Sequence, residues 1–163
     1  MSVIVVATDG SAAATAALDE AIGIARSTGD QLAAITVWRA LQGDFGLAYP
    51  STAMLDDLLD AERHHAETTL AEAVARARAA KVAIETRLAT GDPAEQICAF
   101  AAERDARMIA MGTHGYSAVV SLLVGSVSGA VLRRAPCPVL VVGESGHRKQ
   151  RAGRSSTTRH VTI

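Results

Sequence analysis

The stretch "MGTHGYSAVVSLLVGSVSGAVLRRAPCPVLVV", residues 111–142, contains a glycine-rich loop, a short helix and an apolar run. It follows "RMIAM" (107–111), which predicts a buried strand that leads directly into Gly112. Residues 126–134 predict a helix, and "PVLVV" (138–142) predicts the next strand. A strand, a helix and a second strand in this order are typical of a parallel sheet with a helical crossover.

The same alternation runs through the rest of the chain. Strands are predicted at 3–8, 31–38 and 82–88, and helices at 11–28, 52–80 and from Pro93 to near Arg104, with a loop at 39–51. The strands are near-continuous apolar runs, as parallel strands buried on both faces usually are. We therefore predict an α/β fold with a five-stranded parallel sheet and helices on both faces.

Length and composition allow one domain with a full core. The 163 residues are 49% hydrophobic but only 3% aromatic, so the core must consist mainly of Ala, Val, Leu and Ile. The N-terminal run lacks a charged region before it and reaches Asp9 too early for a signal peptide. No apolar stretch is long enough to span a membrane. We expect a cytoplasmic protein without a membrane partner.

The two cysteines, Cys98 and Cys137, lack the spacing of a metal site or a disulfide framework. We expect no metal site, and Cys98 is interpreted as a small buried thiol of a helix. Residues 1–146 carry 17 acidic and 11 basic side chains, which argues against a nucleic-acid-binding face on the folded part. Residues 144–163 are basic and aperiodic, so we predict a domain at 1–143 and a disordered tail, whose role stays open.

The glycine-rich loop has the features of an anion site. Gly112 ends the fourth strand, and Gly115 would let the main chain approach a ligand without a Cβ in the way. Gly125 then precedes residues 126–128, the first turn of a helix, where unbonded N–H groups and the helix dipole favour an anion. Two serines of that turn add hydroxyl donors. The sequence thus predicts a polyphosphate site, although glycines after strands also form ordinary turns.

A carboxylate at the end of the first strand fits the same site. Asp9 lies in "TDGS" (8–11), and open parallel sheets bind ligands beyond the carboxyl ends of their strands, where the winding reverses. A carboxylate there can accept hydrogen bonds from ribose hydroxyls. The alternative is that Asp9 only forms a turn or caps the helix.

At this point the chain resembles the universal stress protein family over residues 3–142. The resemblance rests on "TDGS" (8–11), "GDPAEQI" (91–97), "MGTHG" (111–115) with nine residues before "GSVS" (125–128), and "LRRAPCPVLVV" (132–142). The combination of G-x-x-G, nine residues and G-[ST] is similar to the ATP-binding branch of that family.

The resemblance implies a Rossmann-like sheet in the order 3-2-1-4-5 and an adenine nucleotide as ligand. ATP, accompanied by Mg²⁺, is the expected cofactor, with AMP or ADP as alternatives. Adenine would lie near Val37 and the ribose near Asp9 and Gly112, with the phosphates over the glycine loop. The cofactor-binding residues implied are Asp9, Val37, Met111, Gly112, His114, Gly115, Gly125, Ser126, Val127 and Ser128.

In that strand order "PVLVV" is an edge strand without charge. Such an edge invites pairing, so we predict a homodimer through 138–142 about a two-fold axis, an arrangement that the resemblance also implies. The alternative is a monomer whose basic tail covers the edge.

Two positions depart from the family pattern. Tyr116 stands where members often have a basic residue, and residues 116–124 carry no charge. Arg107 stands where members often have an acid, which we interpret as a surface difference. Affinity for a triphosphate would then depend on amides, hydroxyls and His114.

We predict no catalytic residues. The P-loop lysine is absent, the only lysines are Lys81 and Lys149, and no base accompanies the loop. His64 and His65 are interpreted as solvated surface. We expect an ATP-binding regulatory or sensor protein of the stress response with little or no turnover. The alternatives are a slow ATPase or autophosphorylating protein, and a dimeric interaction module that has lost nucleotide binding.

Overall fold

The computed structural model describes residues 1–38, 52–113 and 125–143. The elements are β1 (Val3–Ala7), α1 (Ala12–Thr28), β2 (Gln31–Trp38), α2 (Thr52–Ala79), β3 (Ile84–Thr90), α3 (Pro93–Glu103), β4 (Met108–Gly112), α4 (Ser126–Arg134) and β5 (Val139–Val142). All strand pairs are parallel, and the order is β3-β2-β1-β4-β5. The predicted fold and strand order are confirmed. His114, Gly115, Tyr116, the loop at 39–51 and the tail at 144–163 lie outside the described residues.

The largest boundary error of the sequence reading is at β3, which was predicted at 82–88. Lys81 has a φ of 60°, and the Val82 N–H donates to the Ala77 carbonyl at 2.9 Å. This is the main-chain pattern that closes a helix with one left-handed residue. Val82 is therefore part of the end of α2, and strand pairing begins only at Ile84.

The core has two halves, one on each face of the sheet. Along β1, Ile4 and Val6 pack in a cluster with α1 and α2, while Val5 and Ala7 pack in a cluster with α3 and α4. Successive side chains of a strand point to opposite faces, so an uninterrupted apolar strand can serve both clusters. We call the two sides of the sheet the α1/α2 face and the α3/α4 face.

Gly112 is required by the packing of α1 on the end of β4. A Cβ built on Gly112 would lie 2.7 Å from the Ala14 nitrogen and 2.8 Å from the Ala13 carbonyl carbon. Both are main-chain atoms of the first turn of α1, so they cannot rotate away. A side chain at this position would force the helix and the strand apart.

Asp30 fastens the opposite end of the sheet through Arg107, which is exposed as a surface difference should be but also has a structural role. The side chain of Asp30 is 5% exposed and pairs with the Arg107 guanidinium at 2.8 Å. The Thr28 hydroxyl donates to the same carboxylate at 2.7 Å, and the Ser2 N–H donates to it at 3.1 Å. The hydroxyl of Thr28, followed by the Ser2 amide and Arg107, lowers the pKa of Asp30 against the opposing effect of burial.

Cys98 was expected to be buried, but it is half-buried. Cys137 is half-buried as well, and partial burial raises the pKa of both thiols. Within residues 1–38, 52–113 and 125–143, no group of three His, Cys, Asp or Glu side chains is placed to hold a metal ion. Over the same residues, no helix combines the length and apolar character needed to cross a bilayer.

Replacing Gly112 by alanine should lower the free energy of unfolding by about 1–3 kcal/mol, because the added methyl group overpacks a rigid main-chain contact. Gly23→Ala is the matched control. Gly23 lies on the exposed side of α1 with nothing within 4 Å of a Cβ, so alanine there should stabilise the helix by about 0.5–1 kcal/mol. Urea unfolding followed by circular dichroism measures both. Equal effects of the two changes would contradict the close packing at Gly112.

Asp30→Asn should destabilise the protein by about 1–3 kcal/mol at neutral pH, because it removes a buried charge with three donors. The lowered pKa means that the stabilisation by Asp30 is present above its unfolded pKa of about 3.9 and is lost as the pH falls through the folded value. The difference between wild type and variant should therefore shrink below about pH 4. Asp19→Asn, which breaks the exposed pair with Arg76, is the control and should have little effect at any pH. A difference that persists undiminished at pH 2.5 would contradict this assignment.

Candidate functional site

A cavity of about 590 Å³ opens beyond the carboxyl ends of β1, β2 and β4. The winding of the sheet reverses between β1 and β4, which is where open parallel sheets form their ligand crevice. All predicted site residues that the structure describes line this cavity: Asp9, Val37, Met111, Gly112, Gly125, Ser126, Val127 and Ser128. The strands bring together positions from four parts of the chain. His114 and Gly115, the remaining predicted residues, are outside the described part.

Asp9 both shapes its turn and lines the cavity. Its Oδ1 accepts from the Ser11 N–H at 3.0 Å, and Gly10 between them has a φ of 82°. Ser11 in turn caps α1 by accepting from the Ala14 N–H at 3.3 Å. A carboxylate has acceptor capacity for several donors, so one bond to Ser11 leaves it able to accept from a ligand. The turn-forming and ligand-binding interpretations of Asp9 are compatible.

The strands that carry the site are fastened at their ends. The Thr8 N–H donates to the Ile35 carbonyl at 3.0 Å, and the buried Thr36 hydroxyl donates to the Thr8 carbonyl at 2.8 Å. These bonds extend the pairing of β1 and β2 up to the residue before Asp9. The position of the carboxylate is therefore set by the sheet.

The N-terminus of α4 forms the opposite end of the cavity. Its N-cap is Gly125, no side chain caps the helix, and its first turn contains no acid. The N–H groups of residues 126–128 have no acceptor within the helix, and they lie at the positive end of its dipole. Ser126 is exposed, so its hydroxyl can add to this set of donors. The arrangement can bind an anionic group.

The base of the glycine loop is held by hydrogen bonds to the main chain of Thr113. The Thr113 carbonyl accepts from the Gly125 N–H at 2.8 Å and from the Ser128 hydroxyl at 3.0 Å. The Thr113 N–H donates to the Val142 carbonyl at 2.9 Å, which anchors the base to β5. The two ends of the loop are thus joined beside the cavity.

Ser128 corrects one expectation of the sequence analysis. It was predicted to offer a hydroxyl donor to a ligand, but it is 2% exposed and donates to the carbonyls of Thr113 and Gly125. Its hydroxyl positions the helix N-terminus, which leaves its main-chain N–H as the group that could donate to a ligand. Ser126 is the serine of this turn with an exposed side chain.

An apolar section of the cavity lies at the end of β2 on the α3/α4 face. Val37 packs with the cluster of that face, and Pro93 and Ile97 of α3 line the cavity beside it. Asp92 caps α3 by accepting from the Glu95 N–H at 2.9 Å, with Pro93 in the first turn. The "GDP" sequence therefore sets where α3 begins and which apolar side chains it presents to the cavity.

Sequence reasoning missed the wall that α2 contributes. This wall consists of Glu62, His65 and Ala66, and Trp38 at the end of β2 lines the cavity beside it. His65 was interpreted only as solvated surface. His65 is exposed, as that interpretation requires, but it also borders the cavity, which the interpretation did not foresee. The i, i+3, i+4 spacing of the three α2 residues puts them on one helix face. The spacing could have suggested a shared face but not which part of the sheet that face approaches.

Comparison with known proteins gives the same fold and family. The sequence model of the universal stress protein family matches residues 1–143. A universal stress protein of Methanocaldococcus jannaschii is 36% identical over 140 residues, which cover 85% of this chain and 80% of that protein. The crystal structure of a universal stress protein in complex with cAMP is 31% identical with a TM-score of 0.66, and covers 88% of this chain and 98% of its own.

The structure of the universal stress protein from Archaeoglobus fulgidus in complex with dAMP is also similar. It is 27% identical with a TM-score of 0.61, and the match covers 87% of this chain and 97% of that one. Because the family model matches residues 1–143, which include every described strand and helix, this chain belongs to the universal stress protein family.

Proposed function

We propose that this protein binds an adenine nucleotide, in the first place ATP with Mg²⁺, in the cavity at the carboxyl edge of the sheet. The observation that carries the proposal is the joint opening of Asp9 and the uncapped N-terminus of α4 into one cavity with an apolar section. A nucleotide has an anionic, a hydroxylated and an apolar part in this order. The cavity offers a complementary group for each.

The phosphates would bind at α4. The N–H groups of residues 126–128 and the Ser126 hydroxyl supply donors, and the helix dipole supplies a partial positive charge. The Gly125–Thr113 bond holds these donors in place before a ligand arrives. A site organised in advance loses less entropy on binding than one that must be ordered.

The sugar would bind at Asp9, between the two ends of the cavity. The base would extend toward β2, where Val37 and Ile97 offer an apolar surface. The relatives described in complex with cAMP and dAMP support an adenine ligand. Both ligands combine adenine, a sugar and a single phosphate.

The same residues favour binding without rapid turnover. Phosphoryl transfer depends on positioned positive charge around the phosphates, and neither lysine of the chain is among the described residues that line the cavity. Donation by main-chain amides stabilises bound phosphate without activating a water. We propose a regulatory or sensor role, in which occupancy by nucleotide is the signal. AMP and ADP would bind comparably, since each further phosphate meets no cationic side chain among these residues.

Two substitutions should separate the phosphate end from the sugar end. Ser126→Pro removes the hydroxyl and the N–H of the first helical residue, and proline is tolerated there because Gly125 has a ψ of 164°. The affinity for ATP should fall about 10-fold or more, since the change removes donors to a charged group. The affinity for adenosine should stay unchanged. Asp9→Asn should weaken ATP and adenosine alike. Isothermal titration calorimetry measures both ligands.

Ser126→Ala serves as the control, because it keeps the N–H and removes only the hydroxyl. Its loss of ATP affinity should be smaller than that of the proline variant. The proposed function would be refuted if calorimetry detected no binding of millimolar ATP to the wild-type protein in the presence of Mg²⁺. A proline variant that weakens adenosine as much as ATP would refute the assignment of the phosphate end.

We also propose a homodimer through β5. The carbonyls of Pro138 and Val142 accept from the N–H groups of Ile109 in β4 and of Thr113 directly after it, and main-chain groups alternate in direction along a parallel strand. The N–H and C=O groups of Val139 and Val141 therefore point to the open side of β5, which is the last strand of the sheet among the described residues. The same strand of a second copy, related by a two-fold axis, would pair with them.

A proline at an outward-pointing N–H tests this dimer without removing bonds to β4. Val141→Pro should convert the dimer to a monomer while the circular dichroism spectrum is retained. Thr86→Pro is the matched control, because the Thr86 N–H points outward from β3 at the other edge of the sheet and its side chain is exposed. Light scattering at micromolar concentration gives the mass. A monomeric wild type, or a dimeric Val141→Pro protein, would exclude pairing through β5.

A further inference from the structure

The wall that α2 adds to the cavity lies at the end away from the anion site. In the sheet, β1 lies between β2 and β4, and β4 leads to α4. A nucleotide with its phosphates at α4 and its sugar at Asp9 therefore has its base over the end of β2. The α2 wall borders that end, because α2 packs on β2 and β3.

Two different side chains at the end of β2 line the base end of the cavity, one from each face of the sheet. Val37 belongs to the α3/α4 face, whereas Trp38 shares the α1/α2 face with Leu32 and Ala34 by the alternation of a strand. Trp38 is half-buried and lines the cavity. A base beyond the end of β2 would therefore have an aliphatic side chain toward one face of the sheet and an indole toward the other.

Glu62 brings a carboxylate to the same place. Ala66, one turn further along α2, is 2% exposed and is the first buried residue of this helix in the described part of the chain. Glu62 lies on the same face of α2 one turn earlier, toward the carboxyl edge of the sheet, and lines the cavity there. Its side chain is exposed.

The charge of Glu62 is available for a ligand. Its neighbour Arg63 pairs with Glu67 at 2.9 Å on the outer side of the helix, and no ion pair between described residues includes Glu62. An ionised carboxylate only accepts hydrogen bonds. It therefore favours a ligand that presents an N–H group and disfavours one that presents a carbonyl oxygen.

We propose that Glu62 is a base-selecting residue, which accepts a hydrogen bond from the exocyclic amino group of adenine and disfavours bases with a carbonyl at that position. This inference rests on the proposed nucleotide function and adds the selectivity of the site. Hypoxanthine is the comparison, since it carries a carbonyl oxygen in place of the amino group and an N–H in place of the lone pair on the adjacent ring nitrogen, so a carboxylate placed at the amino position would meet the carbonyl oxygen. The phosphates and the ribose of ATP and ITP are identical.

The experiment compares the dissociation constants of ATP and ITP, both with Mg²⁺, for wild type and Glu62→Gln. Glutamine keeps the length of the side chain but can turn its amide to donate to a carbonyl. Wild type should prefer ATP about 10-fold, as one hydrogen bond to a charged group allows, and the variant should bind both nearly equally. Glu72→Gln is the matched control. It makes the same change on an exposed position of α2 about 15 Å along the helix, and the preference for ATP should remain.

Trp38 provides an independent readout, because it is the only tryptophan of the chain. A base that binds at the β2 end should change the tryptophan fluorescence on titration with either nucleotide. Ser126→Pro, at the other end of the cavity, should weaken ATP and ITP by the same factor and leave their ratio unchanged.

Three results would overturn the inference. They are equal affinities of wild type for ATP and ITP, an unchanged preference in Glu62→Gln, and binding seen by calorimetry without any change in Trp38 fluorescence. In each of these, ATP still binds and the proposed function stands. If wild type binds neither nucleotide, the proposed function fails and the selectivity fails with it.

Discussion

The approach of α1 to the end of β4 is the constraint on which the site depends. The first turn of α1 lies against Gly112 so closely that a single methyl group would meet main-chain atoms at 2.7 and 2.8 Å. This contact brings the turn after β1, which carries Asp9, next to the loop that leaves β4. The anion site of α4 then follows from the two bonds that fasten the loop at Thr113. A glycine at this position is therefore first a packing requirement, and its place beside the cavity is a consequence of that packing.

Much of this could be predicted from sequence because it is encoded locally. The apolar runs and caps such as Ser11 and Asp92 determine where strands and helices begin, so β2 and α4 were predicted with their observed bounds. The carboxyl-edge principle then placed Asp9 and Gly125 together. The pairing of Arg107 with Asp30 could not be predicted, since it joins residues 77 positions apart through the packing of three elements. The wall formed by Glu62 and His65 was missed for the same reason, because it depends on how α2 lies across the sheet.

The cavity relies on the main chain for positive charge. Its described lining combines an uncapped helix N-terminus with Asp9, Glu62 and His65, and the chain carries 17 acidic residues in total. A helix dipole is a fixed partial charge that neither titrates nor reorients with its surroundings. It distinguishes an anion from a neutral group but contributes little to moving a phosphoryl group. Binding without rapid turnover, as proposed above, is consistent with such a lining.

The bond between the Gly125 N–H and the Thr113 carbonyl joins the two described residues that flank 114–124. Because the two ends of this segment are already joined, the free energy of closing it depends only weakly on its length. Evolution can therefore exchange the segment, in length and in chemistry, without moving the helix that begins after it. The uncharged sequence of residues 116–124 would then be one of several sequences that the fold accepts between Thr113 and Gly125. Grafting a basic segment between Thr113 and Gly125 would alter which anions are retained while the scaffold stays the same.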